Sequence, residues 1–171
     1  MKKLFKVALI AGCMMLLMGN FAKAQQKIGH IAFDQVVGLL PELATVKTQL
    51  TAYQKTWSDQ LGTLNTEYQN KLNDYQSKQA TMTDAVKSIK QAELTDLGKR
   101  FQEQQSNAQQ QVDAKTTELS KPLIDKVRAA VTAVAKEKGY AYVLNSTQTD
   151  LLVSPDADDL MPAVKAKLGL K

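Results

Sequence analysis

Three features of the sequence predict a mainly α protein with a small β part, in which a long antiparallel helical hairpin stands on a β-strand body that copies of the chain complete together. The first is a set of apolar residues at Leu43, Val46, Leu50, Tyr53, Trp57, Leu61, Leu64, Tyr68, Leu72 and Tyr75, spaced only by threes and fours, which keeps one face of a helix apolar. The second is a short break at Thr81, Met82, Thr83 and Asp84, with Pro41 and Pro122 about equally far on either side of it. The third is a few short β-favouring runs near the two ends of the chain, too few for an independent sheet.

The chain begins with basic Lys2, Lys3 and Lys6, an apolar run over residues 7–18, and Ala22-Lys23-Ala24. That is the layout of a secretory signal peptide occupying residues 1–24, with cleavage after Ala24 and export from the cytoplasm. The apolar run is too short for a comfortable membrane span. Ile10-Ala11-Gly12-Cys13 also fits a lipoprotein cleavage pattern, a minor alternative, because cutting there leaves very apolar sequence just behind the lipid. Removal of residues 1–24 takes away Cys13, the single cysteine, so burial or oligomerisation has to stabilise the chain in place of disulfides. It also changes the charge. The printed net charge is +5, but four lysines leave with residues 1–24, so 22 − 4 = 18 basic groups face 17 acidic ones. A near-neutral chain with interspersed signs excludes strong nucleic-acid binding, which wants a basic stripe.

Residues 25–40 and 123–171 read as the body. KIGHIAFD, residues 27–34, is the expected first strand, with Ile31 and Phe33 on one face and His30 and Ala32 on the other. His30 is the sole histidine, so metal and triad chemistry have no second imidazole, and a strand residue facing solvent or a partner is the better reading. A short apolar helix should end near Gly38, with Pro41 opening the long helix and Glu42 near its positive end.

Residues 41–122 read as the hairpin, its tip near residues 79–84. Some 40 residues of helix make a rod of roughly 60 Å, too long for a domain of this size to bury, so it must pair. Its partner carries the stripe Val86, Ile89, Leu94, Leu97, Phe101, Ala108, Val112 and Leu119, with Gln or Glu in several expected slots. Thr81-x-x-Asp84 resembles a capping box at the restart, and Thr83 is a second good cap. Gly62 and Gly98 sit at similar heights on opposite arms, and each interior glycine costs a helix about 1 kcal/mol relative to Ala; the arms are expected to bend there.

Beyond Pro122 the helix is expected to resume through Ile124, Val127, Val131 and Val134 and to stop at Gly139. Residues 140–144 and 151–153 are the expected second and third strands, paired as a hairpin, and a last amphipathic helix over residues 160–168 is ended by Gly169. Asp156, Asp158 and Asp159 lack calcium-loop spacing and read as capping residues. Asn145-Ser146-Thr147 matches a glycosylation acceptor, a short pattern of low specificity.

KIGHIAFDQV, the Gln-rich hairpin turning near ATMTDAV, and above all KPLIDKVRAAVTAVAKEKGYAYVLNSTQTDLLVSPDADDL resemble the Skp/OmpH family of periplasmic chaperones. The resemblance covers the chain after residue 24 and is most specific in the last fifty residues. It implies a homotrimer whose strands pool into a small β-barrel body, with three helical tentacles around a cavity, holding unfolded outer-membrane proteins without ATP. No cofactor is implied, and the sequence has no phosphate loop and no nucleophile with a histidine partner. One departure is the near-neutral charge, since well-known members are strongly basic; capture of anionic lipid or lipopolysaccharide is therefore doubtful for this chain. The candidates for client contact are Tyr53, Trp57, Tyr68, Tyr75 and Phe101 on the arms and Met82 at the tip. The competing reading, favoured for all but Met82, is packing between the two helices. Candidates for the shared trimer body are Ile31, Phe33, Tyr142, Leu144 and Leu152. A structural coiled-coil envelope protein without chaperone activity is the alternative function.

Overall fold

A computed structural model describes residues 26–171; the expected signal peptide, its cleavage after Ala24 and the Cys13 alternative lie outside these residues. The chain is mostly helical with a small two-stranded sheet. In order it forms β1 (Lys27–Ile31), α1 (Phe33–Gly38), α2 (Glu42–Lys78), a turn of 3-10 helix (Gln79–Thr81), α3 (Asp84–Lys138), β2 (Tyr140–Asn145), a second 3-10 turn (Asp156–Asp158) and α4 (Met161–Leu168).

The two long helices lie antiparallel, because their cross-links run in opposite sequence directions. Glu42 meets Lys126 at the base, Gln104 donates to Gln60 at 3.2 Å, and Lys71 reaches Glu93 at 3.3 Å near the tip. The apolar stripe of α2 is the half-buried or buried face, from Leu43 through Val46 and on to Tyr75. Thr83, rather than Thr81, caps the restart: its side chain accepts from the Val86 N–H at 3.4 Å, and the Thr81 hydroxyl instead bonds back to Lys78 O at 2.9 Å. On α3 the seam runs through Leu94, Leu97, Phe101, Ala108, Val112 and Leu119 as expected. Val86 and Ile89 do not join it and remain 40 % and 58 % exposed.

Pro122 does not interrupt the helix. α3 runs unbroken for 55 residues, although an interior proline loses a backbone hydrogen bond and costs ~3 kcal/mol. It crosses the best-packed part of the molecule, between half-buried Leu119 and buried Leu123 and Val127, and burial there offsets the loss. Gly139 ends α3 at φ 73°, and Gly169 ends α4 at φ 70°, each in the left-handed region that a helix terminus of this type needs.

The core sits at the base. Ile31, Val36, Leu40, Val46, Leu123, Val127, Ala130, Val134, Tyr140, Leu160 and Val164 form one buried cluster contributed by both chain ends and both long helices. β1 and β2 pair in parallel, Ile28 opposite Tyr142 and His30 opposite Leu144, as strands joined by a long helical crossover must. The far edge of β1 carries a single parallel bridge, His30 to Asp159.

Two strand expectations are corrected. The first strand ends at Ile31, and Phe33 opens α1, because Ala32 O collects the N–H groups of Gln35 and Val36. Residues 151–153 form no strand and no hairpin with β2. β2 pairs with β1 on one side, and the chain turns away after Asn145 through N–H bonds from Gln148 and Thr149 to Asn145 O, so the segment does not fold back onto the open edge of β2.

Candidate binding surfaces

The arm aromatics lie along the face that α2 turns toward α3. Tyr53, Trp57, Tyr68 and Phe101 are half-buried and Tyr75 is 8 % exposed. Tyr53 and Trp57, one turn apart, meet edge to face with ring centroids 6.2 Å apart. The Trp57 indole Nε1 is shielded and has no hydrogen-bond partner, as happens when a ring enters a seam for its area and no acceptor is in reach. The Tyr75 hydroxyl accepts from Gln79 Nε2 at 3.1 Å and from Gln91 Nε2 at 2.9 Å, tying the tip turn to both arms. Met82 is half-buried just before the Thr83 cap. Sequence reasoning missed Val86 and Ile89, whose three-residue spacing looked like seam.

Several charges on the arms are paired. Glu93 accepts from Lys71 and Lys90 at 3.3 and 3.4 Å, and these hydrogen bonds hold its carboxyl below the usual range. Lys78 pairs with Asp74 and lowers that carboxyl in the same way. At the base the hydrogen bond from Lys126 lowers Glu42, and Lys121 does so for Asp125.

On the body, Ile31 is 2 % exposed and belongs to the protomer's own core. Phe33 is half-buried beside a cleft of about 580 Å³ that Ile31, Val37, Ile124, Val131 and Val143 also line, with Asp34 and Arg128 among its polar groups. Tyr142, Leu144 and Leu152 are 56 %, 38 % and 92 % exposed. Ile28 and Val153, at 52 % and 85 %, join them; the period-two alternation of KIGHI, which puts Ile28 on the His30 face, was the available signal for the first. Paired across the two strands, Ile28, Tyr142 and Leu144 give one sheet face an apolar surface open to solvent.

His30 is half-buried and fastened within the chain, its Nε2 lying 3.1 Å from Pro155 O, while its backbone carbonyl accepts from the Leu160 N–H at 2.9 Å. Asp159, one residue ahead of the α4 N-cap Leu160, accepts from the Met161 N–H at 2.8 Å, while the cap residue itself makes no side-chain cap bond. Asn145 Oδ1 accepts from the backbone of Phe33 and Thr147 at 3.3 and 3.2 Å, so the carbonyl oxygen of the sequon side chain fastens the end of β2 to the start of α1. Among the described residues no group of His, Cys, Asp and Glu is placed to hold a metal ion, and no helix is long and apolar enough to cross a membrane.

Residues 27–168 match the family model described as outer membrane protein (OmpH-like). The chain also superposes on a crystal structure of an OmpH-like protein from Caulobacter crescentus CB15, described there as a candidate outer membrane chaperone, with a TM-score of 0.67 at 16 % identity over 85 % of each chain. A search of curated proteins found no match.

Proposed function

Because the chain belongs to the OmpH-like outer membrane protein family, we propose that it is an ATP-independent holdase of the periplasm, which binds unfolded outer-membrane proteins and keeps them from aggregating in transit. The observation that carries this reading is a division of labour within one chain. A packed base leaves an apolar sheet face uncovered, and the paired arms beyond it are joined only by a narrow seam.

A two-stranded sheet with open edges and an exposed Tyr142 and Leu144 is a poor independent unit. In the proposal, three copies close it. The free edge of β2, the cleft beside Phe33 and the fully exposed Leu152 and Val153 become subunit contacts, and residues 151–153 find in a neighbour the strand partner they lack in one chain. Residues 41–122 are then the arm of each subunit, and residues 25–40 and 123–171 the shared body. Three arms on one body hold a client by avidity, many weak contacts that never fix one pose. Release needs only a deeper free-energy sink, such as folding in the outer membrane. Anionic lipid or lipopolysaccharide is left out of the proposal, since residues 25–171 carry 18 basic and 17 acidic groups and the arm carboxylates Asp74 and Glu93 hold their lysines in pairs.

The test is to dilute a denatured outer-membrane β-barrel protein into buffer with and without this protein, in the absence of nucleotide, and to follow light scattering. Reduced scattering is expected. Equal scattering rejects the holdase reading, and equal scattering together with a trimeric mass leaves a structural coiled-coil protein. A monomeric mass in solution rejects the shared body.

A further inference from the structure

We infer that the tip of each arm carries the client-contact site, a patch made by Val86 and Ile89 with Met82 beside them, and that its occupant is an extended apolar segment of the unfolded client. This rests on the holdase reading above and places its site. The arm aromatics are spent on the seam: Tyr75 is 8 % exposed, and the other four are half-buried. Among the described residues, the large apolar side chains of the two long helices that stay exposed are Val86 and Ile89.

Their exposure has two separate causes. Val86 keeps phase with the seam residues Lys90 and Leu97, but it lies level with the end of α2, where the seam gives way to the tip turn, and it stays 40 % exposed. Ile89 lies eight residues before Leu97, about 80° around the helix from the seam centre, where no packing need calls for an isoleucine. Residues three apart on a helix are surface neighbours, so the two form one patch. Lys87, at the position where an apolar residue would staple Met82 onto the helix start, leaves that methionine without its usual partner.

The size and charge of the patch select the occupant. Its exposed area is on the order of 200 Å², well below the roughly 800 Å² per partner of a stable folded interface, so neither a second copy nor a folded protein is held there. An anionic membrane is disfavoured because the four tip lysines already have carboxylates: Lys71 and Lys90 share Glu93, Lys78 has Asp74, and Lys87 has Asp84 at 3.6 Å. A small uncharged apolar patch with an adaptable methionine suits weak, exchangeable contact with short apolar stretches. Three such patches on one trimer give retention by multiplicity.

The test compares the full-length protein, with residues 1–24 removed, against its Val86→Ser/Ile89→Ser variant. All the altered side chains are exposed, so the melting curve by circular dichroism is expected to hold. The concentration needed to halve aggregation of a denatured outer-membrane β-barrel protein is expected to rise at least about threefold. A photo-crosslinking residue in place of Ile89 should capture the client, and one in place of exposed Gln102, mid-arm on α3, should capture much less. Unchanged potency in a wild type that does suppress aggregation overturns this site and leaves the holdase reading standing; a wild type that suppresses nothing overturns both. Sedimentation with anionic vesicles that depends on Ile89, or tip-to-tip assembly beyond the trimer mass, also overturns the assignment.

Discussion

The same substitution, Gly to Ala, is expected to move stability in opposite directions at two glycines of this chain. Gly29 lies in β1 beneath Leu160 and Tyr140, and a Cβ built there runs into Leu160 Cδ1 and comes within 3.0 and 3.1 Å of two Tyr140 ring carbons. Leu160 is fully buried and Tyr140 is 8 % exposed, so neither side chain has free space to swing into. Overpacking of this kind costs about 1–3 kcal/mol, against which the alanine recovers ~0.5–1 kcal/mol of unfolded-state entropy. Gly29→Ala is therefore expected to lose about 1–2 kcal/mol. Gly62 is interior to α2, with nothing within 4 Å of a built Cβ, so Gly62→Ala escapes the clash and gains ~0.5–1 kcal/mol. For a chain of this size that is a fall in Tm of about 3–6 °C against a rise of about 2–3 °C. Both should be read by denaturant and thermal unfolding at one fixed protein concentration, because assembly would shift the midpoint by mass action. Equal stability of Gly29→Ala and the wild type refutes the packing described for β1, Tyr140 and Leu160. If the arms also bend at Gly62 and Gly98, the double alanine variant should show slower hydrogen exchange at that level; an unchanged rate there removes the hinge.

The remaining predictions concern single contacts. Glu93 is held below its ordinary 4.5 by Lys71 and Lys90. Its contribution is therefore fully present above pH 4.5 and is lost as pH falls through the lowered value; Glu93→Gln should flatten part of the loss of thermal stability between pH 6 and pH 3.5, and an identical pH profile would show the clamp to be idle. Thr83→Ala removes the helix cap accepted from Val86 and should cost about 0.5–1 kcal/mol in chemical unfolding, whereas Thr81→Ala should cost less, since Thr81 makes only a local bond to Lys78 O. Trp57, the one tryptophan, has its Nε1 shielded in the seam, so its emission maximum should stay put when client is added; a shift of several nanometres would place client in the seam.

Much of the helical architecture was legible because threes-and-fours spacing has one cheap solution. Leu43 through Tyr75 fall on one face whatever the partner is, and the break at Thr81–Asp84 carries its own cap chemistry. Residues whose environment depends on where the partner ends were not legible. Val86 has seam phase but lies level with the end of α2, at the tip turn, and stays 40 % exposed. Pro122 was read as a pause between helices because local propensity says so; tertiary packing at the base overrides it, and nothing within a few residues of Pro122 announces that override. The strands near the C-terminus failed for a related reason. β-propensity identifies residues 140–144 correctly as extended but says nothing about which edge they meet, and the parallel pairing with Lys27–Ile31 depends on a contact over a hundred residues away. Ile31 and Leu152, grouped together as body residues from their side chains alone, separate in the structure into a core residue at 2 % and a surface residue at 92 % exposure.

The placement of apolar surface follows from this division between local and long-range determinants. Along the arms the aromatics of α2 lie on the face turned toward α3, Tyr75 buried and Tyr53, Trp57 and Tyr68 half-buried. The large exposed apolar side chains lie at the tip, Val86 and Ile89, and at the base, where Ile28, Tyr142 and Leu144 on an uncovered sheet face are joined by Leu39, Leu152 and Val153. These two surfaces differ in kind. The basal one is contiguous across both strands, while a cleft of about 580 Å³ lined by Ile31 and Val143 lies on the opposite side of the sheet. The apical one is a few side chains on one helical turn, suited to contacts that form and break. If, as proposed, the broad patch at one end assembles copies and the small patch about 60 Å away by helix length meets clients, mutations at Leu144 should alter mass in solution and mutations at Ile89 should not.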